Sequence, residues 1–400
     1  MQLLPFLCLF AVGVVGLPSQ ATLLVGPGGL PQIRDAVALA APGDVVLVQP
    51  GTYAHFACTR PITIRATVPG AVQVAYDPAF LPSGCSLVCL LSEGPTYLAP
   101  QGPGTLHVVG LRFLGNTVSL TPSARARHRV LVSGGSVHLD RCELAATEAS
   151  VLSVSQSSVH LQDCRITVEG ASGTANALRL VTGSVVSAVR TEIRANVAIS
   201  GSSTSGAAVE LSDSSLHGSE VVLVGGTAAV GVSGPALRLF GSARVHLADS
   251  DLTAGANQCP VLPVGSAVWL DRCVVSPNGG TCGNHPSPVA LLAVARSQPL
   301  RMGQSVALDW QAAPFDPVFV YAAFGLDPAV SGPPLGQPLR LAGGSLQFAA
   351  LLVGDAQGSS QLTVQIPGLA GLVGLPVFWQ GVGLGANDLQ LSPPVGGLIE

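Results

Sequence analysis

Four histidines recur in one local context. His107 lies in Leu106-His107-Val108, His138 in Val137-His138-Leu139, His160 in Val159-His160-Leu161 and His246 in Val245-His246-Leu247. Apolar neighbours at period two put each imidazole on the opposite face of a strand from its flanking residues. If the segments stack side by side, the rings form an outward column at roughly 5 Å spacing, able to bind a divalent metal or line a sugar groove. A solvated polar ladder on an exposed sheet face is the ordinary alternative. Just beyond the histidines come Asp140, Asp163, Asp249, Asp251 and Asp271, interleaved with Arg141, Arg165, Arg190 and Arg272. Clustered carboxylates can hold calcium, and a pair at defined separation can hydrolyse a glycoside. These acids are spread over several segments without a paired or triple aspartate motif, so an exposed ladder of ion pairs is the simpler expectation. His107, His138, His160, His246, Asp140 and Asp163 are accordingly candidate binding residues, and no catalytic residue or metal ligand is assigned.

The elements that would position these side chains come from an internal repeat. Ser136-Val137-His138-Leu139-Asp140-Arg141-Cys142-Glu143-Leu144 returns as Ser158-Val159-His160-Leu161-Gln162-Asp163-Cys164-Arg165-Ile166. Further copies start at Arg244 and Ala267, with weaker ones at Leu106 and Val186. The pattern is apolar-x-apolar-x-x-small/Cys-x-apolar: two alternating strands joined by a tight turn. A second strand family precedes each copy, as in Ala177-Leu178-Arg179-Leu180 and Ala236-Leu237-Arg238-Leu239. Ala208-Val209-Glu210-Leu211 fits that family with the more even spacing. Such units bury their faces only by stacking, which predicts a solenoid of about nine or ten rungs, a rod on the order of 45 Å long.

The entry to the rod is more specific. Ile33, Ala36, Val37 and Ala40 share one face of a short helix, Pro42-Gly43 ends it, and Val45–Val48 reads as a buried strand. This passage, "IRDAVALAAPGDVVLVQPGTY" followed by "PITIRA", closely resembles the entry of the pectate-lyase-like family of right-handed parallel β-helices. The resemblance is specific over residues 30–66 and continues as generic repeat similarity to about residue 287. It implies an all-β, right-handed parallel β-helix with an N-terminal capping helix. Activity does not follow from it, because one fold hosts many functions. Lyases of this fold need carboxylates to hold calcium against a uronate, so calcium enters only if the chain is a lyase. From about Pro288 the repeat is lost, and strand-like runs between frequent turns predict a small β-sandwich-like domain over 288–400. Its ending, from Gly374 to Gly381 and then Leu391-Ser392-Pro393, is similar to a β module appended to many secreted bacterial proteins.

Residues 1–21 read as a signal peptide and 22–287 as the solenoid. A disulfide-permissive, extracellular or cell-surface setting follows. Cys142 and Cys164 share a repeat position on neighbouring rungs, within bridging range, and are the disulfide candidates; an unbridged inward stack of thiols fits the same positions. No CxxC pair supports a zinc site. All 18 basic residues are Arg and the net charge is −4, without a basic cluster, which argues against a nucleic-acid partner. The apolar stretch 366–384 is broken by Pro367, Gly368, Gly371, Gly374, Pro376, Gly381 and Gly383, favouring strands over a membrane span. The expected partner is a polysaccharide or cell-surface component. The sequence points to a secreted, non-catalytic β-helix protein with a glycan-binding, adhesion or surface-structural role. The alternative is a polysaccharide lyase, glycoside hydrolase or epimerase.

Overall fold

The computed structural model describes residues 20–75, 96–114, 128–146, 150–168, 175–195, 197–198, 205–228, 232–256, 258, 261–262, 266–276, 292–296, 298–332, 335–384 and 389–400. The expected signal peptide, apart from Gln20 and Ala21, lies outside them, as do Cys85, Cys89, Cys259 and Cys282.

Three long parallel sheets of ten, nine and eight strands run the length of the first module, and successive strands of one sheet come from successive turns of the chain. This is a right-handed parallel β-helix. The first sheet begins at Thr22–Val25 and ends at Ala267–Asp271. Its inner columns hold Leu106, Val137, Val159, Val186, Leu216 and Val245, and beside them Val108, Leu139, Leu161, Ala188 and Leu247, all buried. Each rung buries the next rung's apolar face, so the core is one continuous cluster from Val25 to Leu270. The strand Val209–Ser212 pairs with Leu178–Val181 and with Leu237–Phe240, the register expected from its spacing.

The capping helix spans Ile33–Leu39 and buries Ile33, Ala36 and Val37, with Ala40 buried just beyond. Arg60 reaches across to donate to the carbonyls of Ala38 (3.1 Å) and Ala40, supplying partners to the helix's last turn. Cys142 and Cys164 stack on neighbouring rungs as expected, but both are free thiols. Their Sγ atoms donate to main-chain carbonyls instead, Cys142 to Val108 and Asp140 at 3.4 Å and Cys164 to Leu139 and Gln162 at 3.3 Å. Strand carbonyls thus accept from both thiols, the unbridged stack that the same rung positions also allow.

The second module changes pairing mode. Ala293–Arg296, Ser305–Gln311 and Ser359–Gln365 form a small antiparallel sheet. A seven-stranded sheet, antiparallel except where Leu335 pairs with Leu389, includes Leu335–Leu341, Pro376–Leu384 and Val395–Leu398. Val306, Leu308 and Trp310 of the small sheet pack against Val318, Val320, Val377 and Trp379 of the large one, giving a sandwich-like core. Among the described residues no helix is long and apolar enough to cross a membrane. The large sheet lies on the outer face of the solenoid's first sheet, and that contact decides the state of the histidine column.

Candidate functional site

The register of the first sheet places His107, His138, His160, Ser187, His217, His246 and Trp269 in one column. His138 and His160 stack with centroids 5.2 Å apart, His217 and His246 at 4.9 Å, and His246 on Trp269 at 4.3 Å. His107 Nδ1 and His138 Nδ1 lie 3.2 Å apart, so one ring donates and the other accepts. The sequence pattern missed His217 because Gly218 stands where the other copies carry an apolar side chain. A Cβ on Gly218 would meet Val221 Cγ2 at 2.8 Å and Leu247 Cδ2 at 3.0 Å. The neighbouring rungs fill that space, which the pattern of a single strand does not reveal.

The column faces out of the solenoid, yet it is not open to solvent. His138 and His160 are fully buried and His107 and His217 nearly so, with His246 half-buried. Phe378 of the large sheet sits over His107, His138 and His160, with centroids 6.2, 5.0 and 6.1 Å away. Arg340, also fully buried, donates from Nη1 to Val159 O at 3.0 Å and to Ser187 Oγ at 3.4 Å. It therefore enters the column at the rung where a small serine replaces histidine. Asp140 is buried and held by Arg141 at 3.1 Å, and Arg141 also pairs with Glu400. The solvated groove expected along this column is corrected by its cover. An apolar and arginine-bearing sheet occupies the space a ligand would need. Burial pushes His107 down to about 4, and burial with nearby Arg244 does the same to His246. His217 is held well below the ordinary imidazole value by burial and by the positive surroundings of His246, Arg340 and Arg244. Arg340 itself is lowered to about 9 by burial.

A second column runs along the turn after each strand of the first sheet. Gly110, Arg141, Asp163, Arg190, Glu220, Asp249 and Arg272 all take left-handed backbone conformations, with φ between 45° and 72°. The turn demands that conformation on these seven successive rungs, although for a residue with a Cβ it costs roughly 1 kcal/mol. Ion pairs between rungs partly offset it. Arg190 forks onto Asp163 (2.7 and 2.8 Å), and Arg272 onto Asp249 (2.7 and 3.0 Å). Read from Arg141, the signs run plus, minus, plus, minus, minus, plus. The like-charge step is Glu220 beside Asp249.

That step opens into a cleft of about 600 Å³ between the modules. Glu220, Asp249 and Ser219 line it from the solenoid; Asp309, Trp310, Gln311, Asp355, Ser360 and Gln361 line it from the second module. Ser219 Oγ bonds Val294 O at 3.0 Å and ties the floor of the cleft together. Gln361 Nε2 donates to Asp309 at 2.6 Å, and Asp355 accepts from the amides of Gln357 and Ser359 at 2.8 and 2.9 Å. Trp310 and Ser360 face the sandwich core from neighbouring strands, and among the described residues neither the Trp310 Nε1–H nor the Ser360 Oγ has a hydrogen-bond partner. Loss of hydration raises the Glu220 carboxyl; Asp249, Asp163 and Asp309 add to the rise and Arg190 opposes it. Glu220, Asp309, Asp355 and Trp310 escaped sequence reasoning, since two modules distant in sequence build the cleft. Among the described residues no three His, Cys, Asp or Glu side chains are placed to hold a metal ion.

No family model and no curated protein matches the chain. Among solved structures, it is similar to a pectin methylesterase variant in complex with a hexasaccharide, at 13% identity over 68% of this chain and 93% of that one, TM-score 0.38. The enzymatically active domain of tailspike protein 2 from bacteriophage CBA120 matches at 8% identity over 95% and 77% of the two chains, TM-score 0.26. The A-module of mannuronan C-5 epimerase from Azotobacter vinelandii matches at 12% identity over 64% and 93%, TM-score 0.25. The fold assignment stands on the sheets themselves: a parallel β-helix, of the architecture implied by residues 30–66, carrying a sandwich-like second module.

Proposed function

We propose that this chain is an extracellular, non-catalytic glycan-binding rod, and that the cleft between its two modules holds the sugar. The observation that carries the reading is the cleft's lining. Carboxylates and side-chain amides accept and donate around an open floor, with Glu220, Asp249, Asp309 and Asp355 beside Gln311 and Gln361. A polyhydroxylated ligand satisfies both kinds of group at once. The acidic lining disfavours a uronate chain, whose carboxylates would meet Glu220, Asp249, Asp309 and Asp355. A neutral or amine-bearing glycan fits. Secretion through residues 1–21 would place the rod where such polymers lie.

One observation favours a second reading, a carbohydrate-active hydrolase. The raised Glu220 carboxyl has the character of a proton donor, and Asp249 and Asp309 line the same cleft. Product analysis separates the two by turnover, and a binding experiment tests the cleft itself. Binding of the purified chain to neutral, amine-bearing and uronate polysaccharides is measured by calorimetry, alongside Glu220→Gln with Asp309→Asn. The binding reading expects retention of a neutral or amine-bearing polymer and at least ten-fold weaker binding by the double variant. Equal binding by both proteins would remove the cleft from the account.

A further inference from the structure

We infer that the buried histidine column is an acid-operated latch that holds the second module on the solenoid at neutral pH and releases it reversibly on acidification. Five imidazoles lie on one sheet face; Phe378 of the second module covers His107, His138 and His160, Arg340 enters beside His160 and His217, and His246 stacks between His217 and Trp269. The His107–His138 pair shares one hydrogen bond between two Nδ1 atoms, which requires one of them to be unprotonated. Protonating both rings turns that bond into two opposed N–H groups. Protonating His160 or His217 sets a second cation beside Arg340, already buried at the Ser187 rung between them. The other charged groups facing the column are few. Asp140 and Arg141 sit at its edge with Glu400, and Arg244 lies near His217 and His246. Phe378, Gln380 and Gly396, which close over this face from the second module, bring no charge. The face thus holds one buried carboxylate, engaged by Arg141, against five groups able to gain positive charge.

The sign follows from the shifts. Docked, His107 and His246 take up a proton at about 4, whereas the released rings would do so near the ordinary 6.5. Between those values the released form binds more protons, so docking is at full strength above pH 6.5 and weakens as the pH falls toward 4. At pH 5 His107 alone, covered by Phe378, favours release by roughly 30-fold.

Hydroxyl-radical footprinting of the full chain tests this. Phe378 and His138 are expected to be protected at pH 7.5, labelled at pH 5.0 and protected again on return to pH 7.5. The inward Leu139 and Leu161 should stay protected throughout. Replacing His107, His217 and His246 together with Gln should keep Phe378 protected at pH 5.0. Arg340→Met, which removes the fixed charge, should move the opening midpoint to lower pH. The latch is overturned if Phe378 remains protected down to pH 4.5, or if Leu139 is labelled in step with it. It is equally overturned if neither variant shifts the midpoint.

Discussion

The two faces of the solenoid's first sheet share the same strands and backbone, yet they work in opposite ways. Inward, Val137, Leu139, Val159 and Leu161 repeat rung upon rung, and each is fully buried by its like neighbours. Outward, His138 and His160 repeat just as regularly and are equally buried, but by a partner module. Apolar repetition is self-sufficient, because dispersion and loss of water favour every added rung. Polar repetition needs a cover that fits its hydrogen bonds and its charge state. The inner face should therefore respond to volume and the outer face to protons.

Changes of volume should have the largest effects. Leu139→Ala empties a fully buried inner position and should destabilise the solenoid by about 2–5 kcal/mol, read from chemical denaturation, with little dependence on pH. Gly218→Ala overfills the same face against Val221 and Leu247, and should cost about 1–3 kcal/mol. An inner face tolerant of both changes would break the contrast.

Protons should act on the outer face with intermediate strength. The thermal midpoint of the second module should fall between pH 6.5 and 4, the window set by the low values of His107 and His246, while that of the solenoid changes less. Parallel decline of both transitions would erase the distinction. Because the cleft is lined by both modules, glycan affinity should decline over the same window.

The smallest effect is expected in the turn column. Arg272→Gly loses the fork onto Asp249 but relieves a left-handed backbone at φ 49°. Exposed ion pairs contribute about 0.2–1 kcal/mol and the backbone relief is about 1 kcal/mol, so the net change in stability should be near zero. A loss well above 1 kcal/mol would show that the charge column carries more of the fold than its exposure implies.

What the sequence reveals follows the same division. The inner face is legible because stacking repeats one apolar pattern, and even the assignment of Val209-Glu210-Leu211 to its strand family follows from rung spacing. The histidine column was legible as a column for the same reason. Its burial was not: Phe378 and Arg340 belong to a module whose strands carry no trace of the repeat, and docking is specified by shape and charge. His217 was hidden by Gly218, a residue meaningful only once Val221 and Leu247 are seen around it. The shared rung position of Cys142 and Cys164 was visible, but the carbonyls that accept from each thiol come from the strands of its own and the preceding rung. The cleft was the least legible feature. Glu220 and Asp249 look like two more rungs of an ion-pair ladder until Asp309 and Trp310 line the other side.

The most direct test of the cleft as a binding site without turnover is mass spectrometry of residues 22–400 incubated with neutral, amine-bearing and uronate polysaccharides, together with a pull-down from the same mixtures. The account predicts that a neutral or amine-bearing polymer is retained, that Glu220→Gln with Asp309→Asn abolishes retention, and that no new oligosaccharide masses arise. New oligosaccharides that disappear with Glu220→Gln would contradict it and make the cleft an active site.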